Sequence, residues 1–221
     1  MPDINNQIVF SESEKKIIKE KLGSDSFNHN EWGLEDLALI RSSIRKFYRN
    51  AQGGKCAFCK KYVSLQSASN AQVEHILPKS KYLNFIFEPK NLCVICADCN
   101  EKKGDHDSFF LCDDVLTRTN IIRYPRSSNA FKIVHPHFDD YYENIKIFND
   151  YIYIGLTDKG HATVGACKLN KYLQEFGWPN ECHSLDEMLD LASDILEADD
   201  PLRQVNLLNR LGAMIVFNKT T

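Results

Sequence analysis

At 221 residues, with 43% hydrophobic and 26% charged side chains, the chain is long enough to bury a core and has a globular balance. No apolar run approaches the roughly 18–20 residues that cross a bilayer, and residues 1–10 lack the basic-then-apolar pattern of an export signal. A cytoplasmic, membrane-free protein with reduced cysteines is expected. The net charge of -3 excludes a uniformly basic nucleic-acid binder, yet residues 41–61 carry seven basic and no acidic side chains, and residues 139–221 fourteen acidic and seven basic. The basic stretch fits a solvated helix face or a footprint for phosphate.

In chain order, Ser11 and Glu14 form a capping-box pattern ahead of a short helix through Leu22, closed by Gly23. Residues 25–33 read as loop. Leu34, Leu37, Ile40, Ile44 and Phe47 recur at helical spacing, which places Arg41, Arg45 and Arg49 together on another face. Gln52-Gly-Gly-Lys55 is a turn. Residues 71–76 and 92–95 are strand-like, joined by a long connection containing Pro78 and Pro89. A helix is expected from Asp98 to near Gly104. Residues 145–148 and 151–154 alternate around Asn149-Asp150 as a hairpin, and helices are expected over 163–176, 185–198 and 201–217.

Two Cys-x-x-Cys pairs stand out, Cys56/Cys59 and one drawn from Cys93, Cys96 and Cys99. In a reducing compartment such pairs read as metal ligands. Cys96 and Cys99 are preferred, because a turn entering a helix is the usual knuckle shape and Cys93 falls in the strand. Four thiolates suit a closed, structural Zn²⁺ site. Cys112, Cys167 and Cys182 have no knuckle partner and read as structural thiols.

Between the pairs lie residues suited to phosphodiester cleavage. His75 is a candidate general base, with an ordinary pKa near ~6.5. Glu74 and Asn100 offer hard oxygens to Mg²⁺ or Mn²⁺. Asn91 is placed to tie the connection between the strands. Lys103 follows Asn100 by one turn and reaches toward a phosphate, as do Lys79, Lys55, Arg45 and Arg49. Adjacent strand residues face opposite ways, so the strand must end or distort for Glu74 and His75 to share one site.

The order Cys-x-x-Cys, Glu-His-Ile-x-Pro-Lys-Ser, Asn-Leu, Cys-x-x-Cys-Asn-x-x-Lys-Gly-Asp over residues 53–107 resembles the HNH endonucleases. That resemblance implies an α+β fold, a zinc-stabilised ββα-metal HNH core with mainly helical additions at both ends. It divides the chain into 1–52, a helical region; 53–112, the core; and 113–221, a helical region with a small hairpin. It also implies His75 as general base, Asn91 as structural residue, and Asn100 with Glu74 as catalytic metal ligands. The third family letter, often His, is Asn here, and Glu74 stands where Asp is common.

A looser pattern, Ile133-Val-His-Pro-His-Phe-Asp-Asp140 with Thr163-Val-x-x-Cys-Lys-Leu-Asn170, resembles a bacterial HNH group. That group includes the nuclease subunit of the two-gene Septu anti-phage system and retron-linked modules. It implies an effector nuclease working with an ABC-type ATPase. Rival readings are a zinc-stabilised binding module without cleavage and a ribonuclease toxin. DNA is favoured over RNA as substrate, although a core that reads backbone carries no sequence readout. His106, and the pair His135 and His137, are secondary metal candidates, while Phe138, Tyr141, Tyr142, Phe148, Trp32 and Trp178 read as packing.

Overall fold

The computed structural model describes residues 1–103, 111–112, 121–148, 150–176 and 185–199, with 203–204, 207–208 and 211 beyond them. The chain divides into two compact units, Met1–Lys146 with Gly155–Leu169, and Ile147–Ile154 with Asn170–Thr221. Expectations for His106, Trp178, Cys182 and nearly all of the 201–217 helix lie outside the described residues.

In the first unit, helix α1 is Glu12–Leu22. Its capping box is complete: Glu14 N donates to Ser11 Oγ at 3.3 Å and Ser11 N donates to Glu14 Oε2 at 2.7 Å. No residue of α1 is buried, so the caps and the last-turn lysines support a helix with no core face of its own. A short 3₁₀ turn, His29–Gly33, follows where loop was expected. Helix α2 is Ala38–Ala51 and buries Ile40, Ile44 and Tyr48. It starts later than the apolar spacing predicts, because Leu34 is extended and exposed and Glu35–Leu37 form a separate 3₁₀ turn.

Strands β1, Gln72–His75, and β2, Leu92–Ile95, pair antiparallel, with Glu74 opposite Cys93 and His75 opposite Leu92. Every β2 residue is buried, as expected for a strand covered on both faces. Gln52 closes the outer edge of β2: its Oε1 accepts from Val94 N and its Nε2 donates to Val94 O, both at 2.7 Å. The side-chain amide thus substitutes for a neighbouring strand. Helix α3, Ala97–Lys103, completes a ββα unit.

Helix α4, Tyr141–Asn144, is N-capped by Asp140. Helix α5 is Asp158–Ala166. The helix expected over 163–176 is two, α5 and α6, Lys171–Phe176. Lys168 adopts φ 46, which no α-helix sustains. The Asn170 side chain also exchanges two 2.9 Å hydrogen bonds with the backbone of Tyr153, diverting it from helix propagation. Strands β3, Ile145–Phe148, and β4, Ile152–Gly155, form the hairpin. Helix α7, Leu185–Glu197, buries Leu191 and Ile195. Among the described residues no helix is long and apolar enough to cross a membrane.

His135 and His137 belong to this packing. His135 is fully buried; its Nδ1 accepts from His137 N at 3.2 Å, so the neutral ring carries its proton on Nε2, 2.9 Å from Tyr124 Oη. His137 Nε2 donates to Leu92 O at 2.9 Å. Asp139 accepts from His135 N at 2.7 Å and from Lys159. Burial, first of all, holds the His135 pKa well below its usual value and draws that of His137 down to about 4. The neutral rings are therefore preferred by the fold. Their contribution to stability is intact above the unfolded value near ~6.5 and is lost as pH falls toward the folded values. Stability against urea should fall from about pH 6.5 to pH 5, by up to about 1.4 kcal/mol per pH unit for each such histidine. His137→Gln should flatten that slope. An unchanged slope in the variant would contradict this account.

Candidate active site and metal cage

The first knuckle is built by backbone geometry. Gly53 and Gly54 adopt φ 61 and 75, a conformation that favours glycine, and turn the chain out of α2. Lys55 then bridges Tyr62, Cys56 N donates to Lys61 O at 2.9 Å, and Ala57 N donates to Val94 O at 3.0 Å. The second knuckle is the turn from β2 into α3, where Asn100 N donates to Cys96 O at 3.1 Å.

These turns bring the Sγ atoms of Cys56, Cys59, Cys96 and Cys99 within 4.8 Å of one another, all buried. A tetrahedral ion with Zn–S near 2.3 Å spaces its sulfurs about 3.8 Å apart, and the cage fits such an ion. Burial opposes a thiolate at Cys56, but hydrogen bonds from Cys59, Cys96 and Cys99 outweigh it and hold that pKa well below the usual thiol range. Cys93 is fully buried outside the cage, and burial raises its pKa. Among the described residues this is the one cluster of His, Cys, Asp and Glu with metal-ligand spacing.

His75 closes β1 and is 3% exposed. Its Nε2 lies 3.0 Å from Ile86 O. A carbonyl only accepts, so Nε2 carries the proton and Nδ1 keeps its lone pair. Nδ1 has no hydrogen-bond partner among the described residues. Burial, then the charge of Lys79, draws the His75 pKa down to about 3, against the opposing Ile86 hydrogen bond. The ring is neutral at neutral pH, as a proton acceptor must be. Lys79 is half-buried and makes no ion pair among the described residues.

Asn91 is fully buried at the base of the connection. Its Oδ1 accepts from Leu77 N at 2.7 Å, and its Nδ2 donates to Leu77 O at 3.2 Å and Phe85 O at 3.0 Å. Ile76 N adds a bond to Asn91 O at 2.8 Å. Both ends of the 76–91 segment are thereby tied together behind His75.

Glu74 and Gln72 share the other face of β1. Asn100 Nδ2 donates to Gln72 Oε1, and its Oδ1 has no partner among the described residues. Lys103, one turn along α3, lies 2.6 Å from Glu74 Oε1 and donates to His75 O at 3.0 Å. Glu74, on the face of β1 opposite His75 and paired with Lys103, and Asn100, bonded to Gln72, each carry an oxygen of the kind a hard divalent cation takes. The expectation that Lys103 reaches a phosphate is corrected: its side chain is 2% exposed and its ammonium is held by Glu74.

The arginine face of α2 is also engaged. Arg41 Nη1 donates to Trp32 O and Leu34 O, Arg45 Nε to Ala71 O at 2.7 Å, and Arg49 Nη1 to Ser64 O at 3.2 Å and Leu65 O at 2.8 Å. Arg45 and Arg49 thus brace the loop leading into β1, with further guanidinium N–H groups left over. Lys55 is half-buried, its ammonium 5.5 Å from the Tyr62 ring centroid.

A four-cysteine cage fused to a ββα unit, with a histidine ending the first strand, defines a class. Residues 56–106 match the HNH endonuclease family, so the chain carries an HNH endonuclease domain. It is similar to the Septu protein PtuB of Bacillus thuringiensis, 32% identical over 117 residues that cover 53% of this chain. The match spans 37% of that protein's length. No solved structure matches the chain.

Proposed function

We propose that the chain is a metal-dependent endonuclease that hydrolyses phosphodiester bonds of nucleic acid, DNA in preference to RNA, with His75 as general base. The observation that carries this reading is the His75 ring, its Nε2 bound to Ile86 O and its Nδ1 without a hydrogen-bond partner among the described residues, with the charge of Lys79 acting on it. Nδ1 takes a proton from the water that attacks phosphorus, and the bond to the leaving oxygen breaks as the new P–O bond forms. Lys79 attracts the phosphate. Glu74 and Asn100 would hold Mg²⁺ or Mn²⁺, which would supply positive charge to the phosphate and the leaving group. Zn²⁺ on the four cysteines is structural. Asn91 holds the 76–91 connection in register.

The likeness to a Septu protein, with the looser tail pattern, supports a role as effector nuclease in bacterial anti-phage defence, beside an ABC-type ATPase. We assign residues 53–112 to the nuclease core, with the flanking segments as additions.

Glu74→Gln and Asn100→Ala should raise the Mn²⁺ concentration needed for half-maximal cleavage, with zinc unchanged. An unaltered Mn²⁺ requirement in both would remove them from the metal site. For the nucleic-acid path, Lys79→Ala should weaken binding of duplex DNA and lower the log–log salt slope by about 0.9 per lost phosphate contact. Arg45→Ala with Arg49→Ala should lower the slope as well if their remaining N–H groups meet phosphate. A loss of thermal stability with the slope intact would confine those two arginines to bracing the loop.

A further inference from the structure

We propose that Trp32 is a positioning residue for His75, its indole fixing the plane of the imidazole so that Nδ1 faces the attacking water. This rests on the reading of His75 as the base. The two rings meet edge to face, centroids 4.6 Å apart and planes at 78°. That is a favoured aromatic geometry. Among the described residues His75 makes one side-chain hydrogen bond, from Nε2 to Ile86 O. That bond restrains the ring at Nε2, and only along the direction of the N–H. Trp32 adds a second contact, against the ring itself, that bears on its plane.

Trp32 is itself held from several directions. Its ring packs on Phe87 at 5.7 Å, next in sequence to the carbonyl that binds His75, and Phe87 stacks on Phe27 at 6.2 Å. Its backbone carbonyl accepts from Arg41. Its turn is closed by the reciprocal Asn28–Glu31 cap, and Glu31 accepts from Lys21 at 2.9 Å. Trp32 is 8% exposed, and its indole N–H makes no hydrogen bond among the described residues, so ring contacts set its place. Trp32, outside the matched family segment, thus packs directly against the base.

The test uses the zinc-loaded 221-residue chain with Trp32→Leu and Trp32→Phe. Misplacing a reacting group by about 1 Å costs on the order of 100-fold in rate. Trp32→Leu should lower kcat about 10- to 100-fold at unchanged KM and zinc content, and Trp32→Phe should recover most of it. In a His75→Ala background Trp32→Leu should cause no further loss, because it acts through the histidine. Independently of activity, the His75 ring-proton resonances should lose their ring-current shift in Trp32→Leu and keep much of it in Trp32→Phe. Unmoved resonances, an equal loss in the His75→Ala background, or a rise in kcat would each overturn the proposal. Wild-type cleavage by His75→Ala would instead refute His75 as the base, while the resonances still report whether Trp32 orders that ring.

Discussion

His75→Ala is expected to lower the cleavage rate about 10²–10⁴-fold, the usual cost of losing a general base. Among the described residues no uncommitted buried histidine replaces it. Lys79 and Lys103 are cations, and the fully buried His135 has its Nδ1 taken by His137 N. The substitution also leaves the Ile86 carbonyl without its donor, which costs stability by about 1–3 kcal/mol. His75→Gln, whose side-chain amide can still donate to Ile86 O, controls for that. Both variants should retain zinc and a cooperative melt while losing cleavage under single-turnover conditions. Wild-type rates in either would assign the base elsewhere.

Zinc removal should have the largest effect on the fold. Structural zinc in small modules contributes apparent binding energies of about 10–16 kcal/mol. Here the four sulfurs join a knuckle before β1 to the turn after β2, two segments otherwise linked chiefly through Val94 by Ala57 N and Gln52. Cys56→Ser should leave less than one zinc per chain and bring aggregation or loss of cooperative unfolding. Cys112→Ser, outside the cage, should keep one zinc and melt like the wild type. Full zinc in a Cys56→Ser, Cys96→Ser double variant would disprove the cage.

The cage was legible in the sequence because metal-ligand chemistry is written in short-range spacing. Even the choice of Cys96 and Cys99 over Cys93 followed from a turn entering a helix. The two strands were legible because β2 is apolar at every position, and the α1 capping box because it is closed within four residues. What was hidden depends on segments distant in sequence. Helical spacing put Arg41, Arg45 and Arg49 on one face, but no local signal says that the carbonyls of Trp32, Ser64 and Ala71 arrive to meet them. Lys103 reads as a surface cation until Glu74 is found opposite it. The break between α5 and α6 is set by Asn170 binding Tyr153, 17 residues away. Trp32 read as packing because its partner His75 comes from another element, 43 positions along.

The most direct test of the account is cleavage by the zinc-loaded chain after dialysis against EDTA, assayed on plasmid, single-stranded DNA and RNA. Mg²⁺ or Mn²⁺ would be titrated back with zinc content monitored, with and without any ABC-type ATPase found encoded beside the gene. The predicted result is no cleavage without the added ion, cleavage of DNA ahead of RNA on its return, and constant zinc throughout. Full activity without the added ion, or no cleavage of any substrate with the ion and the ATPase present, would contradict a metal-dependent nuclease built on His75, Glu74 and Asn100.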